Sequence, residues 1–518
     1  IRDIFDVAPT DPTYTKHHHL ADTRSTLDPS AVDEPSSGRE TLHAEAWRSQ
    51  LVLTTFTQLF ESVAGPGNVQ STKLPALQNS VIIVDEPQAL PHEWWELLGR
   101  LTEYLTTEYD ATILFMTATQ PRVLESLPSA PTPQSLVDLH GECAAVIANE
   151  PRVTFELHDS LIAHLDERDA PPLSLTDAAA ELEPELVGAR NTLTVVNTVS
   201  SAVTMTEALS EVDRLHLGSE LLPYLQAPGT ESPSAEDYLA HLAEEQSDPE
   251  GVILTLTTRL RPADRRLLLD AVSRVLDPDT TTPFDDVPTM TVSTQLIEAG
   301  VDVSFDRLYR DFAPLPSLVQ AAGRCNREFG DPPAPVTVWR LDSPEDDDYV
   351  PSRLIYGDDS LLRPTQRALS ALRTEQADTT LSEAAVITDG VMTYYDALHD
   401  QRRTGDRTDR LVEAFDKARG QTLREASLID SEYATADYLV LVSDCDKRLH
   451  AEYVEYRETG AWRQAQQAFR RFQETLVSGP VDEAGVGEPS VIEVDCDGRG
   501  YDGRFGSGVP GSGGRTDN

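Results

Sequence analysis

Short runs of aliphatic residues, each followed by polar residues, recur along the first 345 positions. Residues 81–84 are four consecutive aliphatic side chains, a pattern typical of a strand buried on both faces of a parallel sheet. Between the runs lie stretches with helical spacing, such as residues 93–107. The other runs cover residues 51–56, 112–116, 153–157, 192–196, 252–256, 289–292, 307–310 and 336–341. Strands alternating with helices predict an α/β fold built on parallel sheets.

Shifts in this pattern predict where the chain divides. Residues 1–160 hold the first series of strands and are expected to form a first lobe. Residues 161–190 are charged and contain proline, so they are predicted to be a linker before a second lobe over 191–345. The pattern then becomes mostly helical, which predicts a C-terminal domain over 365–500. The glycine-rich residues 501–518 are predicted to be a disordered tail.

Composition limits the class of protein. The chain carries 88 acidic and 42 basic residues, a net charge of −46, and only four of the basic residues are lysine. Such a field repels nucleic acid at low salt, but at molar salt the Debye length falls to about 3 Å. We therefore interpret the charge as adaptation to a salt-rich cytoplasm, as in a halophile. Four scattered cysteines predict neither a disulfide framework nor a zinc site, and no apolar run is long enough to suggest a membrane partner.

Two carboxylates, Asp85 and Glu86, directly follow the first clear strand, and Pro87 ends it. Ligands of open parallel sheets bind outside the carboxyl ends of the strands, so this pair lies where chemistry is expected. Asp at such a position can hold a Mg²⁺ that bridges nucleotide phosphates, and the neighbouring Glu can orient or deprotonate water. The alternative interpretation is an acidic turn after a core strand. Similarly, Thr54 and Thr55 at another strand end could bind a phosphate or cap the next helix.

Four stretches together resemble the motifs of superfamily-two helicases. Residues 85–88 (Asp-Glu-Pro-Gln) look like the Walker B box, and residues 117–119 (Thr-Ala-Thr) look like the third motif. Residues 293–302 are similar to motif five, and residues 320–327 match the sixth motif, QxxGRxxR. Each stretch alone is a weak signal, but the four occur in the right order on two α/β series.

Finer details resemble one family, the helicase–nuclease of type I CRISPR–Cas systems. They are the DEPQ box, the Thr-Gln-Pro at 119–121 after the third motif, residues 54–62, and the TTR…DRR segment at 257–266. The resemblance covers residues 1 to about 345 well and the helical C-terminal part only loosely. It implies two RecA-like lobes that close on ATP, with Mg²⁺ as the metal.

The resemblance also implies roles for individual residues. Asp85 would coordinate Mg²⁺ and Glu86 would activate water, while Gln320 would contact the γ-phosphate or that water. Arg324 and Arg327 would act as arginine fingers, worth about 10³–10⁵ in rate in related enzymes. Two further residues of motif five, Gly300 and Asp302, would belong to the nucleotide site. The residues expected to contact single-stranded DNA or to couple it to ATP are Thr54, Thr55, Thr117, Thr119, Thr198, Thr257, Arg259, Thr294 and Gln295.

By the same resemblance, the partners are single-stranded DNA, a CRISPR guide-RNA surveillance complex and a separate HD nuclease. The sequence contains no GxxxxGK(S/T) loop and no nuclease domain of the family's kind. We therefore expect the chain to be the C-terminal two-thirds of the enzyme, with negligible ATPase activity alone. Two alternatives stay open: a degenerate, non-catalytic nucleic-acid-binding module, or a superfamily-two helicase of DNA repair or RNA metabolism.

Overall fold

The chain, in a computed structural model, divides into two compact units. Unit 1 comprises Ile1–Leu136 and Arg402–Asp430, and unit 2 comprises Val137–Gln401 and Ser431–Asn518. The structure describes residues 14–17, 46–64, 72–121, 133–138, 141–186, 191–210, 214–230, 232–246, 249–285, 287–298, 303–330, 332–344, 349–376, 379–400, 406–425, 435–480, 490–494 and 500–506.

The strands are short, mostly four to seven residues, and most coincide with the aliphatic runs. In chain order they are β1 (Tyr14–His17), β2 (Leu51–Thr54), β3 (Val81–Asp85), β4 (Thr112–Met116), β5 (Val153–Leu157), β6 (Asn191–Val195), β7 (Leu215–His216), β8 (Val252–Leu256), β9 (Thr289–Ser293), β10 (Arg307–Asp311), β11 (Ala334–Trp339), β12 (Thr380–Ser382), β13 (Thr435–Leu441), β14 (Leu476–Pro480) and β15 (Ser490–Glu493).

Six of the described helices begin directly after a serine or threonine. In chain order they are α1 (Phe56–Ala64), α2 (Trp95–Glu108), α3 (Glu142–Asn149), α4 (Asp159–Asp166), α5 (Leu175–Leu182), α6 (Val199–Leu209), α7 (Leu221–Gln226), α8 (Ala235–Glu245), α9 (Pro262–Leu276), α10 (Leu315–Ala322), α11 (Pro351–Tyr356), α12 (Arg363–Gln376), α13 (Glu383–Ala385), α14 (Val391–Asp400), α15 (Asp406–Asp416), α16 (Gly420–Glu425), α17 (Asp444–Glu458) and α18 (Trp462–Phe472).

In its described part, unit 1 has two parallel strand pairs, β1 with β2 and β3 with β4. Helix α2 buries leucines at helical spacing, and Trp94, just before it, meets Phe60 of α1 edge to face at 5.3 Å. Leu411 of α15 and Leu423 of α16 complete this core. The predicted C-terminal domain over 365–500 is therefore not one body, because its residues 402–430 belong to unit 1.

The strands of the DEPQ box and the third motif are not buried on both faces, contrary to the prediction. Val81 is 70% exposed and Ile83 58% exposed, while Ile82 and Val84 between them are half-buried. Helix α2 and its neighbours cover one face of the β3–β4 pair, and no described element covers the other. The continuous aliphatic run could not reveal this alternation, since both faces carry the same residue types.

Unit 2 is organised around an eight-stranded sheet in the order β12-β5-β11-β10-β6-β9-β8-β7. All neighbouring strands are parallel except the pair β12–β5. Every residue of β8 and β9 is buried, as expected of strands covered on both faces. Strand β5 pairs with β11, so it belongs to this sheet rather than to the predicted first lobe over 1–160. The predicted linker over 161–190 instead contains α5, whose Leu182 lies in the core.

The predicted fold class, α/β built on parallel sheets, is confirmed, and the largest sheet of the described residues is parallel except for one strand pair. A second sheet of unit 2, β14-β13-β15, packs its Leu439 and Leu441 against Leu449 of α17 and Phe469 of α18. The predicted disordered tail over 501–518 is wrong for its first six residues, which are described and include the buried Tyr501. Among the helices of the described residues, none is long and apolar enough to cross a membrane.

Candidate functional site

The DEPQ carboxylates lie at the carboxyl end of β3, beside the end of β4. Asp85 is in register with Met116, and the Glu86 N–H donates to the Met116 carbonyl at 2.9 Å. Glu86 adopts a left-handed φ of 51°, and a 3₁₀ turn begins at Pro87. Such a backbone is uncommon outside glycine and asparagine, and it turns the chain sharply off the sheet. The Gln88 amide then donates to the Glu86 carboxylate.

The electrostatics of this turn suit a hard cation. Burial and repulsion from Glu86 raise the pKa of Asp85 above its usual value. No basic side chain of the described residues lies within ion-pair distance of Asp85 or Glu86. Two adjacent carboxylates at a strand end supply oxygen donors of the kind that Mg²⁺ prefers.

The third motif forms a local turn next to this pair. Thr117 directly follows β4, and its hydroxyl accepts a hydrogen bond from the Thr119 N–H at 3.0 Å. Thr119 is buried. Because β3 and β4 are neighbours, the motif and the carboxylates occupy the same edge of one sheet.

Two of the predicted phosphate-contacting threonines cap helices. The Thr55 hydroxyl accepts from the Gln58 N–H at 3.3 Å, at the start of α1. The Thr198 hydroxyl accepts from the Ser201 N–H at 3.1 Å, at the start of α6. Capping uses one acceptor lone pair of each hydroxyl. Both hydroxyls therefore cap helices, but capping takes an acceptor role only and does not decide between the two interpretations of Thr55.

In unit 2, motif five meets the ends of β6 and β10. The Gln295 amide donates to the Asn197 carbonyl at 3.3 Å and to the Tyr356 hydroxyl at 3.0 Å. The Asn197 amide in turn donates to the Asp311 carboxylate at 2.6 Å. Thr294, next to Gln295, is buried. Motif five is thus fixed to two other strand ends of the same sheet.

A buried ion pair that the sequence analysis missed lies beneath motif five. The guanidinium of Arg310, which is 0% exposed, lies 2.9 Å from the Glu298 carboxylate and donates to Asn197 Oδ1 at 2.8 Å. Burial raises the pKa of Glu298, and the Arg310 charge opposes that shift. The sequence did carry a signal for this pair. Arg310 lies near the end of an aliphatic strand, and an arginine buried in such a strand almost always has a charged partner.

The sixth motif occupies the end of α10 and the turn after it. Gln320 is half-buried on the last turn of the helix. The Arg324 guanidinium donates to the Glu298 carbonyl at 2.5 Å, which joins motif six to motif five. Arg327 donates its backbone N–H to the Ser304 hydroxyl at 3.1 Å. The remaining predicted nucleotide residues, Gly300 and Asp302, lie outside the described residues.

Thr257 and Arg259 follow β8, the strand next to the one that leads into motif five. The Thr257 hydroxyl donates to the Phe505 carbonyl at 3.2 Å and accepts from the Arg259 N–H at 3.2 Å. Arg259 is half-buried, and burial lowers the pKa of its guanidinium. In unit 2 the structure thus places Thr198, Thr257 and Thr294 after the parallel strands β6, β8 and β9.

A sequence model of a known protein family matches part of the chain. Residues 233–329 match a sequence model of the C-terminal part of the CRISPR-associated nuclease/helicase Cas3. A curated relative, the CRISPR-associated nuclease/helicase Cas3 of Haloferax volcanii, is 32% identical over 510 residues. The match covers 88% of this chain and 53% of the relative, so the chain spans about half the length of the relative it matches.

Solved structures with the same fold are of the same kind. A crystal structure of T. fusca Cas3 with AMPPNP has a TM-score of 0.59 at 15% identity, over 95% of this chain and 60% of that one. A CRISPR RNA-guided surveillance complex before nicking contains a chain with a TM-score of 0.50 at 15% identity, over 94% of this chain and 61% of that one. At these identities the likeness shows the fold alone. Together with the sequence match to Cas3, this likeness in fold confirms the predicted resemblance to the helicase–nuclease of type I CRISPR–Cas systems.

Proposed function

Because the chain belongs to the family of type I CRISPR helicase–nucleases, we propose that it carries most of an ATP-dependent motor that moves along single-stranded DNA. The observation that carries this proposal is the placement of the motif residues. Polar residues of the helicase motifs follow parallel strands in both units, and motifs five and six are joined through Glu298 and Arg324. Parallel sheets bind phosphates outside the carboxyl ends of their strands.

We assign the nucleotide chemistry to two groups of residues. Asp85 and Glu86 would hold a Mg²⁺, which when bound neutralises phosphate charge, and Glu86 would accept a proton from the attacking water. Gln320 would orient that water, and Arg324 and Arg327 would stabilise negative charge on the γ-phosphate. Gly300 and Asp302 complete the proposed set. The contact of Arg324 with motif five supports its role, because a finger must be held in place before it can act.

We assign DNA contact to the polar strand ends. Hydroxyl and amide groups of Thr54, Thr117, Thr294 and Gln295, together with the Arg259 guanidinium, are donors suited to the phosphates of a single strand. The remaining members of the proposed set are Thr55, Thr119, Thr198 and Thr257. Donors to phosphate read no bases, so the grip is independent of sequence, as translocation requires.

The proposed setting is CRISPR interference in a salt-rich cytoplasm. One structural neighbour is a chain of a CRISPR RNA-guided surveillance complex, which supports such a complex as the partner that recruits this protein. The DNA strand opened there would be the track, and an HD nuclease would degrade it. Because no GxxxxGK(S/T) loop occurs in the 518 residues, we expect them alone to turn over negligible ATP.

DNA binding tests the proposal without requiring ATP. Anisotropy of labelled 20-nucleotide strands, over a potassium chloride series, should give affinities for two unrelated sequences that agree within about threefold. Arg259→Ala should weaken binding about tenfold, because a charge-assisted hydrogen bond is worth about 1.5–3 kcal/mol.

The matched control is Arg266→Ala, since Arg266 is exposed and already paired with Glu474. This substitution should leave affinity unchanged. A strong preference for one sequence, equal loss in both variants, or no binding by the wild type would reject the proposed function.

A further inference from the structure

The last described segment of the chain, residues 501–506, is a closed turn, named here the C-terminal turn. The Asp502 N–H donates to the Gly506 carbonyl at 2.9 Å, and the Gly506 N–H donates to the Asp502 carbonyl at 2.7 Å. The Arg504 guanidinium pairs with the Asp502 carboxylate at 3.0 Å. The turn therefore satisfies its own charges and presents backbone carbonyls to its surroundings.

Tyr501 anchors the turn to the start of α9. Its side chain is 1% exposed, and its hydroxyl donates to Asp264 Oδ2 at 2.6 Å and accepts from the Arg261 N–H at 2.9 Å. The Arg261 guanidinium also pairs with Asp264 at 2.7 Å and with Asp446 at 2.8 Å. A buried tyrosine with both hydrogen-bonding roles filled fixes one docked position for the turn.

The turn packs backbone to backbone against unit 2. A Cβ on Gly503 would lie 2.5 Å from the Gly218 carbonyl oxygen, and a Cβ on Gly218 or Gly506 would overlap backbone atoms in the same way. Gly506 also has a φ of +92°, which L side chains rarely adopt. The Phe505 ring meets the His216 ring edge to face at 5.9 Å. Such contacts require a surface built to receive this segment.

The docked turn occupies a proposed DNA contact. A threonine hydroxyl has one proton, and Thr257 donates it to the Phe505 carbonyl. While the turn is docked, Thr257 cannot donate to a phosphate oxygen. Gly506 lies directly against the backbone of Arg259, the neighbouring proposed contact.

The Arg259 guanidinium, in contrast, has no carboxylate within ion-pair distance in the described part of the chain. Many other described arginines of unit 2 form ion pairs with acidic side chains, among them Arg152, Arg214, Arg261, Arg266, Arg274, Arg307, Arg310, Arg367, Arg373, Arg471 and Arg504. In a chain with twice as many acids as bases, an unpaired and half-buried arginine leaves one cationic group for an external anion.

We propose that the surface formed by His216, Gly218, Thr257 and Arg259 binds the C-terminal turn in cis, and that the phosphates of a nucleic-acid strand compete with the turn for it. This inference rests on the proposed role of Thr257 and Arg259 in DNA binding. The turn presents a carbonyl oxygen where a phosphate oxygen would accept the same hydrogen bond. Binding of the strand releases the turn, and release of the turn favours the strand.

Gly503→Ala tests the competition. The added methyl group cannot fit against the Gly218 carbonyl, so the turn should undock and the affinity for a labelled 20-nucleotide strand should rise about two- to tenfold, the value of one neutral hydrogen bond. The matched control is Gly251→Ala, because a Cβ added at Gly251 would lie 3.6 Å from the nearest atoms. The affinity of this variant for the labelled strand should equal that of the wild type. Unchanged or weaker binding by Gly503→Ala would overturn the inference while leaving the proposed function intact.

A second measurement needs no substitution. Hydrogen exchange of the wild-type amides at residues 501–506 should accelerate when the strand is added, because the turn is displaced. Unchanged protection at a saturating strand concentration would overturn the competition. If neither the wild type nor any variant binds the strand, the proposed function fails. Equal binding by the wild type and Gly503→Ala is a different result, because it rejects only the competition by the C-terminal turn.

Discussion

Arg310 and Glu298 show, at the scale of single residues, how the site in unit 2 is held. Both side chains are buried, and the pair connects the end of β10 with motif five, whose Glu298 carbonyl accepts from Arg324. A buried pair contributes little net stability, but removing one partner leaves the other charged and desolvated. The pair therefore fixes the relative position of motifs five and six more than it stabilises the fold.

Arg310→Met should lower the free energy of unfolding of unit 2 by about 3–5 kcal/mol, because Glu298 would stay buried without its cation. Urea dependence of hydrogen exchange at the amides of β10 and β11, at constant high salt, measures the loss in unit 2. Arg266→Met removes the exposed partner of Glu474 and should cost at most about 1 kcal/mol. Equal losses in the two variants would contradict the assigned role of the buried pair.

His216 gives unit 2 a pH dependence of known sign. Burial, with the nearby Arg504 charge, lowers the pKa of His216 to about 3, although Asp502 opposes the shift. Nδ1 accepts from the Gly218 N–H at 3.0 Å, so the proton lies on Nε2, which donates to Thr255 at 3.0 Å. The folded protein holds a neutral imidazole, whereas the unfolded chain protonates near pH 6.5. Stability is therefore complete above about pH 6.5 and is lost as the pH falls from there toward 3.

At pH 5 this linkage should cost unit 2 about 2 kcal/mol relative to pH 7.5. His216→Asn removes the titration, so the difference in unfolding free energy between the two proteins should shrink by that amount between pH 7.5 and pH 5. Other titrating groups, such as Asp311, are common to both proteins and cancel in the difference. A difference that is constant over this range would contradict a neutral, buried His216.

At the scale of elements, local sequence predicted where most strands lie along the chain, but not which strands pair with each other in the sheet. The aliphatic runs of β6, β8 and β9 became buried parallel strands, because their residue types suit a sheet covered on both faces. Strand β5 was predicted equally well as a strand but placed in the wrong lobe. Its partner β11 lies about 180 residues away, and nothing in either segment encodes that pairing.

The return of α15 and α16 to unit 1 is a second long-range contact that local sequence could not predict. Leu411 of α15 is buried in the core that α1 and α2 begin. Leu411→Ala should cost unit 1 about 2–5 kcal/mol, while the exposed neighbour Arg410→Ala should cost less than about 0.5 kcal/mol. Hydrogen exchange of the α2 amides reports on unit 1. Unaltered α2 protection in Leu411→Ala would show that α15 does not belong to this core.

At the scale of the whole molecule, the candidate site divides into residues that sequence could predict and residues it could not. Asp85, Glu86 and the sixth motif could be proposed from the sequence because the chemistry of phosphates would fix their spacing. Asn197 and Tyr356 were not, since single polar residues contribute through contacts made only in the folded chain. Tyr501 was missed because its glycine-rich surroundings are typical of a disordered tail, and only the glycine-lined surface at Gly218 explains its burial.

Charge is the other property of the whole molecule. With a net charge of −46, long-range electrostatics oppose DNA binding at low salt, and the strand-end donors must act at short range. Added salt screens this repulsion and also weakens direct phosphate contacts, so affinity should pass through a maximum as potassium chloride rises. A monotonic fall of affinity from low salt would contradict this interpretation of the acidic surface.

The most direct test of the account is to map where a single strand lies on the protein. Photo-crosslinking of a bound oligothymidine, followed by peptide mass spectrometry, should give crosslinks at the strand-end segments 54–55, 117–119, 198, 257–259 and 294–295. Within each unit these segments follow parallel strands, so an oligothymidine bound to that unit should mark several of them. Crosslinks confined to other surfaces, with none at these segments, would contradict the proposal that the protein grips single-stranded DNA through its helicase motifs.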